Sequence, residues 1–238
     1  MDNMNPQTGR RQVVDQIGLN SFLTKMYGNM ALAVLVSALS SYLTLTTFRT
    51  AVMGYFVAHP GMVWLLLLLP IALSMGISFS ATRNPVGGFI MLMVMAVIYG
   101  VEFALIAGIY TAANITTAFI SASSVFIVLA IYGTVTKRSL NKAGSHAMAA
   151  LIALIIASLI NLFLKSAVIS YVFSYIAVII FVVLTAWDTQ KMKQLYIEYG
   201  NQVSVTGLAI TGALQLYLDF INLFLQLLNI LQMGSNRD

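Results

Sequence analysis

Seven times along this 238-residue chain, about twenty residues pass with scarcely a charge, the length an α-helix needs to cross a hydrocarbon layer roughly 30 Å thick. The stretches are residues 26–48, 61–81, 85–110, 115–135, 144–164, 166–187 and 205–231, and only the third and seventh contain a charge, Glu102 and Asp219. Such a chain cannot hide its apolar surface in a water-soluble core. Charged residues make up 8% of it and its mean hydropathy is +0.91, whereas a soluble domain needs about a quarter of its residues charged. The sequence therefore predicts an all-α membrane protein with seven transmembrane helices. Residues 1–25 are expected to form a polar cytoplasmic arm, and 26–238 a single transmembrane domain with no room for a soluble one.

The charges that remain are topological. The net charge is +5, but its Lys and Arg lie singly or in pairs between apolar runs, so no nucleic-acid partner is expected. With the N-terminus inside, the cytoplasmic side collects Arg10, Arg11, Lys25, Arg83, Lys137, Arg138, Lys142, Lys191 and Lys193, and the far side only Arg49, Lys165 and Arg237. Positive loops stay cytoplasmic, which predicts N-in, C-out in a bacterial-type plasma membrane. Asp2, Arg10, Arg11, Asp15 and Lys25 make the arm too long and too mixed for a signal peptide, and residues 26–48 exceed a cleavable segment, so an uncleaved anchor is expected. His59-Pro60-Gly61 and Arg83-Asn84-Pro85 read as turns ending one helix and starting the next. Pro70 predicts a kink, Trp64 and Trp187 mark interfaces, and Ser37, Ser40, Ser41, Gly207 and Gly212 suit close helix packing in lipid. There is no Cys, which excludes thiol catalysis and disulfides. His59 and His146 fall on opposite sides, so no shared metal site is expected.

Charges at membrane depth are functional candidates by default. In the last span Gln215, Asp219, Asn222, Gln226 and Asn229 recur at spacings of 4, 3, 4 and 3, one polar stripe about 21 Å long. Either this helix is central or the stripe lines a water-accessible path; a hydrogen-bonded packing seam is the plainer alternative. Asp188, in AWDTQKMK, could simply pair with Lys191. A connection of some 17 residues to Val205 would bring the two last spans side by side and let the aspartates meet. Asp219 lies about 12 Å beneath the cytoplasmic surface, so the sixth helix must sit deeper, with Lys191 and Lys193 snorkelling outward. Two carboxylates sharing a low-dielectric site cannot both ionise comfortably and hold one proton between them. Deprotonated, with the amide oxygens of the stripe, they offer the oxygen-rich surroundings of a weak Ca²⁺ site. Glu102 reads as an outer acid attracting cations, or as a protonated, hydrogen-bonded one. Arg83 reads as a latch to Asp188, or as a topology charge only.

Three segments carry a resemblance: IYGTVTKRSL after the fourth span, TAWDTQKMK after the sixth, and LYLDFINLFLQLL in the seventh. With FLTKMYGNMALAVLVSA in the first, they resemble the Bax inhibitor-1 (YccA-type) family over nearly the whole chain. The resemblance implies six helices around a central seventh, a paired-aspartate pH sensor at Asp188 and Asp219, and a pH-dependent Ca²⁺ leak, with Ca²⁺ and protons as the ions handled and no other cofactor. It also implies association, in some members, with membrane proteases or cell-death control. Two departures stand out. Family members with an arginine latch carry a basic cluster before the third helix where this chain has Arg83 alone, and Glu102 stands where others tend to have Thr or Ser.

Two other functions compete. An intramembrane aspartyl protease also sets one aspartate on each of two late helices, but the YD, GxGD and PAL signatures are missing and no Pro follows Pro85. A serine protease lacks its GxSG nucleophile. A non-conducting regulator would bind a membrane partner through the stripe and show no flux. The expectation is a non-enzymatic leak channel gated by Asp188 and Asp219.

Overall fold

Residues 16–235 are described in a computed structural model. They form eight helices and, among the described residues, no strand: α1 (Gln16–Thr46), α2 (Arg49–Ala58), α3 (Met62–Ser80), α4 (Pro85–Ala107), α5 (Ala112–Val135), α6 (Asn141–Leu164), α7 (Ala167–Tyr199) and α8 (Val205–Ser235). All except α2 are long and apolar enough to cross a bilayer. The protein is a multi-pass integral membrane protein. The expected arm residues Asp2, Arg10, Arg11 and Asp15, and Arg237 at the other end, lie outside the described residues.

Why the chain breaks where it does is local chemistry. Asn84 caps α4, accepting from the Gly87 N–H at 3.0 Å with Pro85 in the first turn, and Thr111 caps α5 through the Asn114 N–H at 3.1 Å. Each satisfies a backbone donor that lipid could not. Between α6 and α7 the turn is sharper. Lys165 adopts a left-handed conformation, φ 51°, unusual without glycine. The Asn161 side chain holds it: Oδ1 accepts from the Ser166 N–H at 3.3 Å, and Nδ2 donates to the Ser166 carbonyl at 3.2 Å and Ser170 Oγ at 2.8 Å. Pro70 lies within α3, whose helix continues on both sides.

Six spans wrap around α8. Its apolar span is 72% buried, against 11–28% for the other six. α8 packs on α1, α3, α4, α5 and α7, while α6 leans on α7 and has little direct contact with α8. Helices in lipid gain nothing from expelling water, so close backbone approach and interlocking side chains must hold them. Gly207 lies against the Ala81 carbonyl, Gly133 against the Ala186 carbonyl, and Gly212 against Met26 and Met192. On the face of α8 away from the polar stripe, Phe220 meets Phe119 and Phe126 edge-on at 5.7 and 5.9 Å, and Phe224 meets Phe103 at 5.8 Å, each worth about 0.5–1.5 kcal/mol beyond burial. Ser37 bonds the Tyr217 hydroxyl at 2.7 Å. Outward, residues such as Phe79, Ile127, Ile155 and Phe163 are exposed to lipid.

Two expectations need correction. The seventeen-residue connection after Asp188 does not exist: α7 runs on to Tyr199, leaving only residues 200–204 as a turn into α8. The charges of DTQKMK look like a span's end, but they are satisfied within the bundle. α7 is thus 33 residues long, about 50 Å, and eleven of its residues follow Asp188. Second, α1 begins ten residues before Met26, because Lys25 on its exposed face does not interrupt the helix. The sequence reading also has no counterpart for α2, in the connection between the first two spans, whose ten residues bury none of their side chains.

Candidate functional site

Helical geometry puts Gln215, Asp219, Asn222, Gln226 and Asn229 within one narrow sector of α8, and every one of them faces open space. Gln215, Asp219, Asn222 and Gln226 line a cavity of about 590 Å³ walled by α6, α7 and α8. Gln226 and Asn229 line a second of about 590 Å³, further along the same groove. The two share Leu154, Ser158, Leu162, Ala177 and Gln226. The groove exists because α6 stands off α8. As a packing seam the stripe is poor: among the described residues only Asn229 bonds outside α8, to Ser174 Oγ of α7 at 3.4 Å and to the hydroxyl of Tyr110, in the α4–α5 connection, at 3.5 Å. Asn222 turns back to its own Leu218 carbonyl at 2.8 Å.

Asp188 and Asp219 both line the first cavity, 7% and 5% exposed. Asp219 Oδ2 and Gln215 Oε1 are buried without a hydrogen-bond partner among the described residues. One cation shares the wall. Lys191 Nζ is 3.9 Å from Asp188 Oδ1 and 4.9 Å from the Trp187 ring centre. Burying a carboxylate without compensation is costly, and one ammonium cannot neutralise two of them. The arrangement can hold a proton, or admit a cation among the carboxylate and amide oxygens. Among the described residues no three His, Cys, Asp or Glu side chains cluster, so any cation held here has at most two carboxylates.

The structure does not send both lysines outward as expected. Lys191 stays with Asp188 and Trp187, and Lys193 Nζ donates to the Thr134 carbonyl at 2.7 Å. Arg83 is exposed at the end of α3 and makes no ion pair among the described residues. Glu102, on α4, is half-buried, with Oε1 buried and unpartnered among the described residues, and it lines neither cavity of the groove. His59 and His146 each contact a carbonyl four residues back in their own segment.

Sequence reasoning missed a clasp around Asp188. Gln190 Oε1 accepts from the Leu140 N–H at 2.8 Å, and its Nε2 donates to the Arg138 carbonyl at 2.8 Å. Trp187 Nε1 donates to Asn141 Oδ1 at 3.2 Å. Trp187, Gln190 and Lys193 recur every three residues, one helix edge, and that spacing was the available signal. They tie the α5–α6 loop to the turn of α7 that bears Asp188. Gln190→Ala removes both loop bonds, so trypsin should cut after Lys137 and Arg138 faster than in the wild type. Equal cleavage rates would mean the clasp does not hold the loop.

A family model described as inhibitor of apoptosis-promoting Bax1 matches residues 19–237. An uncharacterized protein of Rickettsia prowazekii is 37% identical over 97% of this chain and 96% of its own. One of Lactococcus lactis is 37% identical over 93% and 94%. The inner membrane protein YbhL of Escherichia coli is 34% identical over 92% and 94%.

Proposed function

The chain belongs to the Bax inhibitor-1 family, and from that premise we propose that it is a pH-sensitive, calcium-permeable leak gated by protonation of the Asp188–Asp219 pair. One observation carries this reading: two buried carboxylates, from adjacent helices, line the same cavity, which holds a single lysine. The cavity continues past Gln226 into a second, lined by Asn161, Ser170, Ser174 and Asn229. Oxygen-bearing side chains therefore recur along the groove, and oxygen is the ligand type a hard, flexibly coordinated cation prefers. With one proton shared the pair carries a single negative charge, and without it two, so the field along the groove changes with pH. The activity is passive permeation, not catalysis.

The membrane orientation in this reading is N-terminus inside and C-terminus outside, in a bacterial-type plasma membrane. Lys25, Arg83, Lys137, Arg138, Lys142, Lys191 and Lys193 then all belong to the cytoplasmic half, as short basic loops favour. Glu102 belongs to the outer half.

Purified protein in liposomes loaded with a calcium indicator tests the proposal. Calcium added outside should enter at a rate that depends on pH, above that of protein-free vesicles. No flux at any pH would overturn the leak and leave a non-conducting regulator of a membrane protease or another membrane partner.

A further inference from the structure

On the opposite side of α8 from the acid groove, α1 and α5 both pack on α8 but hardly on each other. The gap is a cleft of about 670 Å³, walled by Met30, Val34 and Leu35 of α1 and Phe126, Ile127 and Ile131 of α5. It runs on into a cavity of about 440 Å³, the two sharing Val34, Phe119 and Phe220. Along α5 the larger cleft extends from Phe119 to Val135, about 24 Å, more than one leaflet of a hydrocarbon core roughly 30 Å thick. Its walls are mostly bulky, whereas a helix docking in lipid favours small residues at the seam. A slender apolar chain fits better than a partner helix.

The two ends of the cleft differ in charge. One closes at Tyr27, Thr134 and Val135, with the Tyr27 hydroxyl 3.0 Å from Thr134 Oγ1 and Lys193 Nζ on the Thr134 carbonyl. Exposed Lys137 and Arg138 follow just past the end of α5. None of Lys137, Arg138 and Lys193 is in an ion pair among the described residues. At the other end Tyr42, Leu45, Tyr110 and Thr116 bring no charge. The geometry points to a bound anionic phospholipid, its phosphate among Lys137, Arg138 and Lys193 and one acyl chain lying in the α1–α5 cleft. Basic side chains at the mouth of an interhelical pocket attract anionic headgroups, and the bilayer supplies the chain. This site does not depend on the aspartate pair.

The test uses full-length protein in vesicles of equimolar phosphatidylcholine and phosphatidylglycerol, with a photoactivatable acyl chain on one lipid or the other. Wild-type protein should be labelled on residues 30–35 and 126–131, with phosphatidylglycerol preferred roughly fivefold for each basic side chain engaged. Lys137→Gln with Arg138→Gln should bring the two lipids closer to equal. Ala31→Phe, at an exposed position on the cleft wall, should remove the labelling while leaving Tm unchanged. Equal labelling by both lipids in the wild type, labelling that survives Ala31→Phe, or cross-linking of a second copy of the chain through these positions would each overturn the proposal.

Discussion

Calcium flux through Asp188→Asn/Asp219→Asn protein is expected to lose its dependence on pH altogether. Asparagine keeps the size and most of the hydrogen-bonding capacity of aspartate but takes up no proton in this range. The cavity walls, the Gln190 clasp and the aromatic packing behind Asp219 are untouched, so the variant should fold, and its Tm should be no lower than that of the wild type at pH 8. The single variants separate the roles. Asp219→Asn removes the carboxylate with an orphaned oxygen and leaves Asp188 beside Lys191, so a residual response should remain. Asp188→Asn leaves Lys191 without its partner and Asp219 alone in the cavity. A double variant whose flux titrates like the wild type would reject the sensor while leaving the leak itself intact. Absence of flux in the wild type would reject the leak first.

The second large effect concerns the contact that fixes where Asp188 sits. Gly133→Leu should lower Tm sharply. Any Cβ at this position would collide with the Ala186 carbonyl and crowd the Thr189 Cβ, and the obstacle is backbone that cannot swing aside. Overpacking typically costs about 1–3 kcal/mol, and a rigid obstacle places this substitution at or above the upper end. Moving α5 away from Ala186 displaces the turn carrying Asp188, so surviving protein should also show altered flux. Gly28→Ala, in α1 with nothing near the added methyl, is the control and should change stability by no more than ~1 kcal/mol. Equal melting temperatures for the two variants would mean that the α5–α7 contact is not tight.

Hydropathy made the seven spans legible because lipid imposes a length and a composition that few other environments demand. The stripe on α8 was equally legible, since five polar residues at helical spacing in an apolar span have few places to face. The ends of the helices were not. Lys25, and the charges after Trp187, read as boundaries, yet Lys193 donates to the Thr134 carbonyl and Lys191 pairs with Asp188. A charged residue marks an interface only when water is its partner, and sequence does not say who the partner is. Helix α2 was missed for the opposite reason: ten mixed residues with no side-chain cap carry little local signal. The spacing of Trp187, Gln190 and Lys193 marks one edge of α7, but that the α5–α6 loop lies over that edge is a long-range fact that no periodicity encodes.

The unbroken run of α7 through Asp188 bears on how a proton could be sensed. Had the aspartate stood at a frayed terminus, as its charged neighbours suggested, a change in its ionisation would be absorbed by local loosening within a turn. Set well inside a continuous hydrogen-bonded cylinder, it acts instead like a weight hung on a beam: the disturbance is delivered to both supports. One support is the clasped loop over α7 and the other is the short turn into α8. If the proposed sensor operates, an event in the oily interior would thereby be reported at the watery face, where soluble molecules could respond to it.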